Sequence, residues 1–199
     1  EDSEQWLANG KSLDVNQRLS QENGCYVVND VSDLKELLAF GQDSPLRFRL
    51  TNNLDLGSES NFYIPYLAGE FDGNGHKILN LTLNSDSASQ VGLFGYLAPG
   101  GKVTQLGIEN VNVAGAYVVG GLVGGNNGIV SDSYCSGNVA GDDCVGGMIG
   151  YNRNGSVSNS YSAGSVAGKR DVGGLVGING GALTNCHSNS GITGSYSAG

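Results

Sequence analysis

Positive charge is what this chain has least of. Ten Lys and Arg stand against 19 Asp and Glu, giving a formal net charge of −9. Binding a phosphate backbone relies on clustered cationic side chains that release counterions, so no nucleic acid is expected as a partner. Long apolar runs are missing as well. A long uncharged stretch, Val111 to Val130, is interrupted by glycine and asparagine and lacks the continuous apolar character of a membrane span. No membrane insertion is expected, and no export signal lies within these residues. The four cysteines, Cys25, Cys135, Cys144 and Cys186, show neither CxxC nor Cys/His metal spacing, so no metal and no cofactor is expected. Cys135 and Cys144 are near enough in sequence to meet across a corner, although a disulfide needs Cα atoms within about 7 Å. Free thiols are the simpler reading. Cys186 falls at the offset of Ser133 and Ser160, one more small side chain in a column.

Glycine, by contrast, is abundant, with 34 in 199 residues, and it falls at fixed places. Val91-Gly-Leu-Phe-Gly95, Val119-Gly-Gly-Leu-Val-Gly124, Val145-Gly-Gly-Met-Ile-Gly150 and Val172-Gly-Gly-Leu-Val-Gly177 begin 28, 26 and 27 residues apart. A second phrase keeps step with the first. Val130 to Gly141 aligns without gaps on Val157 to Gly168 and on Leu183 to Gly194, with a looser copy from Val103. Self-similarity at such a period marks stacked repeats. The apolar stretches are about four to six residues long, rich in Val and Ile and fenced by Gly, Asn, Ser and Asp, which is the vocabulary of short strands and tight turns. Three such stretches per period, near Val130, near Val139 and over Val145 to Ile149, predict an all-β fold: a right-handed parallel β-helix, or β-solenoid, with coils of about 27 residues. One coil alone buries too few side chains to offset its conformational entropy, so coils must stack.

Position-matched residues then become vertical neighbours. The pairs Gly120-Gly121, Gly146-Gly147 and Gly173-Gly174 read as corners needing positive φ or close backbone approach. They lack the Lys-Ser/Thr context of a phosphate loop. Asn126, Asn152 and Asn179 each lie seven residues beyond the valine that opens their phrase and predict an amide ladder. Residues 1–70 are not repetitive and read as an irregular capping segment, with 71–199 forming the coils. Within the former, Ser32 can cap a short helix over 33–40 whose Leu34, Leu37 and Leu38 share a face, ending at Gly41 and closing one end of the stack. Arg47 to Leu56 alternates as a strand, and Trp6-Leu7 and Cys25 to Val28 read as strands of a preceding coil.

The phrases VGGLVGGNNG, VGGMIGYNRNG and VGGLVGING, each followed by Val or Leu, a Ser/Asn pair and then Tyr or His, resemble the GLUG motif of secreted bacterial adhesins and IgA-specific metallopeptidases. Asp33 to Leu38, Leu50 to Leu56 and Phe71 to Ile78 resemble the segment that precedes such repeats. The likeness covers about residues 26–194. It implies a non-enzymatic module of a large secreted or surface-displayed protein, such as a filamentous haemagglutinin-like adhesin, meeting a host or neighbouring-cell glycan or protein ligand. The alternative is an accessory substrate-binding domain of a secreted carbohydrate-active enzyme or metallopeptidase. No HExxH zinc helix is present, since His76 is followed by Lys-Ile and His187 by Ser-Asn, so no catalytic role is expected. The last residues stop where another apolar phrase is due, which predicts a longer parent chain.

Candidate surface residues follow from the register. Asp142 and Asp143 should lie one coil from Lys169 and Arg170. These four read as a surface ion-pair ladder rather than the paired carboxylates of sugar hydrolysis. Tyr134, Tyr161 and His187 share an offset and predict stacked rings. Facing outward they would offer a surface for sugars or partners, but alternation from Val130 points them inward as core filling. Asp72 and His76, in Asp-Gly-Asn-Gly-His, read as turn chemistry. Two Asn-x-Ser/Thr triplets, Asn80-Leu-Thr82 and Asn154-Gly-Ser156, carry little weight in so Ser- and Asn-rich a chain.

Overall fold

The structure, a computed structural model, describes residues 14–85 and 89–195. It is a parallel β-solenoid with four faces. The first face is an eight-stranded sheet: Gln21–Glu22, Cys25–Val28, Arg47–Leu50, Glu70–Asp72, Lys102–Thr104, Ile129–Ser131, Ser156–Ser158 and Ala182–Thr184. The long face carries Leu54–Asp55, Lys77–Leu79, Thr82–Ser85, Gly107–Gly115, Tyr134–Ala140, Tyr161–Gly168 and His187–Gly194. A short face holds Tyr117–Gly120, Asp143–Gly146 and Arg170–Gly173. The fourth face holds Ile64–Leu67, Phe94–Leu97, Val123–Asn126, Ile149–Asn152 and Val176–Asn179, one strand for each of five turns. Like residues lie on like: Val103, Val130, Val157 and Leu183 are successive partners on the first face. Such columns build one continuous core.

Each full coil therefore has four strands rather than the expected three, because the glycine phrase splits at its Gly-Gly pair. Gly146 ends the short-face strand and Ile149 opens the fourth-face one. The corner is too tight for side chains. A Cβ on Gly146 would lie 2.0 Å from the Ile149 carbonyl oxygen and 2.7 Å from the Gly177 nitrogen, and one on Gly147 would lie 2.3 Å from the Gly174 carbonyl oxygen. Close approach, not positive φ, is what these pairs supply. The left-handed corner positions go to other residues: Gln105, Asp132, Asn159 and Asn185 before the long face, and Val118, Cys144 and Asp171 within the short one.

The amide ladder forms as expected. The Asn126 amide donates to Asn152 Oδ1 at 2.9 Å, and the Asn152 amide donates to Asn179 Oδ1 at 2.7 Å. Asn126 Oδ1 also accepts the Gly128 N–H at 3.0 Å, so the side chain closes the corner as well as linking coils.

At the N-terminal end the helix spans Val31–Phe40. Its cap is Asp30, which accepts the Asp33 N–H at 2.9 Å, rather than Ser32, which lies inside the first turn. An Asp with extended backbone one residue before the helix presents its carboxylate to the free N–H groups. Leu34, Leu37 and Phe40 are buried, whereas Leu38 is half-buried. Cys25–Val28 pairs in parallel with Arg47–Leu50, as a preceding coil should, and its other edge is covered by the antiparallel Gln21–Glu22. Residues 47–67 place strands on the first, long and fourth faces. Trp6 and Leu7 lie outside the described residues. All four cysteines are free.

Candidate functional site

Tyr134, Tyr161 and His187 open successive long-face strands and are paired in register. They face outward: Tyr161 and His187 are exposed and Tyr134 is half-buried. The inward orientation expected from alternation fails because Asp132, Asn159 and Asn185 adopt left-handed φ of 51°, 49° and 53°. That kink turns Ser133 and Ser160 into the core and resets the parity, so Cys135 and Ser162 point in and the rings point out. The rings stack with centroids 5.0 Å apart and planes 5° apart between the tyrosines, then 5.2 Å and 9° between Tyr161 and His187. A parallel stack at the coil spacing covers much of each ring with its neighbour, so mainly ring edges and polar atoms are left to meet a partner.

The column continues toward the N-terminal end. The Tyr134 hydroxyl donates to Glu109 Oε1 at 2.6 Å, and the Lys77 ammonium reaches the same oxygen at 2.8 Å. Gly107, between Lys77 and Tyr134 in register, makes room for this: a Cβ there would lie 2.6 Å from the Tyr134 ring. A Lys, a Glu and a Tyr on adjacent coils look like acid/base machinery, but their electrostatics point the other way. The hydrogen bond to Glu109 raises the Lys77 pKa. The hydrogen bonds from Lys77 and then Tyr134 lower that of Glu109. Desolvation, followed by Glu109, raises that of Tyr134. Lys77 and Glu109 are held in their charged forms and Tyr134 in its neutral one, and none becomes a better base or acid near neutral pH.

The second set of sequence candidates also meets as expected. Lys169 Nζ lies 2.7 Å from Asp142 Oδ1, and Arg170 Nη2 lies 2.6 Å from Asp143 Oδ2. These pairs are solvated, and like other exposed pairs they are worth little in stability. Next to Asp143, Cys144 holds a left-handed φ of 54° and directs its thiol to Asp143 Oδ1 at 3.5 Å. Burial, then the Asp143 charge, pushes this thiol up to about 12. Asp143, Cys144 and Asp171 bring ligand atoms within 4.8 Å of one another, a grouping not legible from spacing. A protonated thiol and an Asp143 already held by Arg170 fit a metal poorly.

The ring column and the ion pairs stand at opposite ends of the long-face strands. Tyr134 and Ala140 are separated by about 20 Å at 3.3 Å per residue, so the seven candidates do not converge on one site. Asp72 and His76 form the expected turn: Asp72 accepts the Asn74 N–H at 2.8 Å and Arg49 Nε at 2.9 Å, and the His76 N–H reaches the Gly73 carbonyl at 2.8 Å.

Sequence reading missed a second column of rings. Tyr66, Tyr96 and Tyr151 share a register on the outside of the fourth face, interrupted by Gly125 and continued by Ile178. Tyr66 and Tyr96 lie 5.5 Å apart, the Asn127 amide donates to the Tyr96 hydroxyl at 2.6 Å, and the Arg153 guanidinium sits 5.4 Å from the Tyr151 ring centre. The signal was present, since Tyr96 and Tyr151 each follow the last glycine of their phrase. A concavity at the mouth of the last described coil is lined by Leu175, Val176, Leu183, Cys186, His187 and Ile192. It is core surface, not a convergence of catalytic groups.

No family model matches the chain. Over 82 residues, 41% of the chain, it is 42% identical to halomucin of Haloquadratum walsbyi (strain DSM 16790 / HBSQ001), in a stretch that makes up 1% of that protein. Among solved structures, a candidate immunoglobulin A1 protease from Bacteroides ovatus superposes with a TM-score of 0.70, covering 91% of this chain and 73% of that one at 18% identity. At that identity the likeness is one of fold. The chain is thus a parallel β-solenoid module that shares its architecture with the Bacteroides protein and part of its sequence with a small portion of halomucin.

Proposed function

We propose that this chain is a non-enzymatic segment of a large secreted or surface-displayed protein, providing reach and a repetitive outer face to a glycan or protein ligand on a host or neighbouring cell. The reading rests on one observation: the charged groups of the candidate columns are paired with their own vertical neighbours, and the rings stack on one another. Lys77 and Tyr134 hold Glu109, Lys169 and Arg170 hold Asp142 and Asp143, and the rings hold one another. A stack so satisfied is a rigid spacer with a patterned surface, and its chemistry is that of contact rather than turnover. The partial identity with halomucin and the GLUG-like phrases support placement in a long exported chain.

A second reading, an accessory domain that presents substrate to a secreted protease or carbohydrate-active enzyme, is favoured by the structural match to the Bacteroides protein. Screening the isolated chain against glycan and protein arrays, alongside a panel of polysaccharide and peptide substrates, tests the proposal. Binding without turnover is the expected outcome, and cleavage of any substrate by the isolated chain would sink it. Sequence flanking this segment separates the two readings: further repeats and an export domain favour the first, a catalytic motif the second.

A further inference from the structure

The two Asn-x-Ser/Thr triplets stand in opposite structural situations. Asn80 is locked. Its amide donates to Asp55 Oδ1 at 2.8 Å, its oxygen accepts the Asn110 amide at 2.6 Å, its φ is +60°, and the next residue, Leu81, is fully buried. Asn154 is free. It is exposed, and its side chain makes no hydrogen bond among the described residues; only its backbone N–H is engaged, with Asn127 Oδ1 at 3.3 Å.

The reason lies in the coil length. The N–H groups of Ser156 and Ala182 bond to the carbonyls of Gly128 and Gly155, so Gly128, Gly155 and Gly181 form one column. Asn126, Asn152 and Asn179 form another. One residue separates these columns in the first and third coils, but two, Arg153 and Asn154, separate them in the second. The corner must bulge, and Asn154 has no column partner in the coil before or after. Gly155 is fixed as the middle residue, because a Cβ there would lie 2.2 Å from the Asn126 amide nitrogen. The Ser156 hydroxyl, like the Asn154 amide, has no hydrogen bond among the described residues.

We infer that Asn154 is an acceptor site for N-linked glycan. In that reaction Asn154 Nδ2 bonds to C1 of a lipid-linked oligosaccharide, the bond from C1 to the lipid phosphate breaks, the phosphate leaves with the bonding pair, and the amide proton passes to the transferase. In the cell this requires export, and so rests on the reading above. A reaction with purified components does not.

The folded chain is incubated with a purified oligosaccharyltransferase of Asn-x-Ser/Thr specificity and its lipid-linked donor, then read by intact mass and glycopeptide mapping. One glycan is expected, at Asn154, with at least tenfold higher occupancy than at Asn80. Asn154→Gln and Ser156→Ala should each abolish it, with melting temperatures unchanged because both side chains lie outside the ladders. Absence of glycan from the folded chain overturns the inference, whether or not a heat-unfolded sample is modified. Occupancy of Asn80 with Asn154 bare does so as well.

Discussion

The two ends of this solenoid solve the same packing problem with different side chains. Around residues 25–97 the coil interior is filled by bulk: Phe40, Phe48, Phe71 and Phe94 are fully buried alongside Leu34, Leu37, Leu50, Leu56, Ile64 and Leu67. From residue 102 onward no phenylalanine occurs, and the interior is made of Val, Ile, Met and Leu with Cys135, Ser133, Ser160 and Ser162. The cause is the glycine corner. Where Gly-Gly pairs let backbone touch backbone, the interior is filled by aliphatic and small side chains and by no aromatic ring. At the other end, residues 31–40 add Leu34, Leu37 and Phe40 to the core beside Phe48, Phe71 and Phe94, so packing there is carried by large side chains. Lateral closure in the repeats thus comes from what is missing at glycine, and at the N-terminal end from what is added at phenylalanine and the helix.

The comparison can be broken most forcefully at a glycine. Gly146→Val places a side chain where a Cβ already lies 2.0 Å from backbone oxygen, and should cost about 4 kcal/mol or prevent folding. Gly24→Ala, with nothing within 4 Å but a φ of +77°, should cost only about 1 kcal/mol. Urea denaturation of the two variants checks the contrast, which fails if both lose equally.

Core truncation comes next. Phe48→Ala should lose about 3 to 5 kcal/mol and Val157→Ala about 2 kcal/mol or less. Equal losses would show that the two sections do not differ in how their cores carry stability. The amide ladder belongs to the repeats alone, and Asn152→Ala strands the Asn126 donor and the Asn179 acceptor. A loss of about 2 kcal/mol is expected, and unchanged stability would mean that water replaces the ladder at no cost.

The smallest effect is electrostatic. The folded-state pKa of Glu109 is lowered, chiefly by Lys77. Its contribution is therefore present above its unfolded pKa and fades as pH falls through the depressed folded value, in and below the ordinary carboxylate range. Thermal melts taken from neutral to acid should show a shallower loss for Glu109→Gln than for the parent chain, and identical slopes would remove the pair from the account.

Much of the repeat was legible because identity at a fixed period is itself a statement about space. Once Val130, Val157 and Leu183 are stacked, the asparagine ladder, the ion pairs of Asp142 and Asp143 with Lys169 and Arg170, and the ring stack of Tyr134, Tyr161 and His187 follow without further information. Direction was not legible. A single left-handed residue, Asp132 or its equivalents, reverses which side of the sheet the next residues face, and nothing in an alternating pattern announces it. The fourth face was hidden likewise, because Val-Gly-Gly-Met-Ile reads as one apolar run until a corner is seen to fall between its glycines.

By itself, then, the amino-acid sequence determined the period, the parallel stacking and the identity of vertical neighbours, since these depend only on which residues recur and how far apart. Tertiary structure alone decided the number of faces, the outward turn of the rings and the exposure of Asn154. Those depend on backbone φ at corners and on a one-residue difference in corner length, and both take effect only when neighbouring coils are in contact.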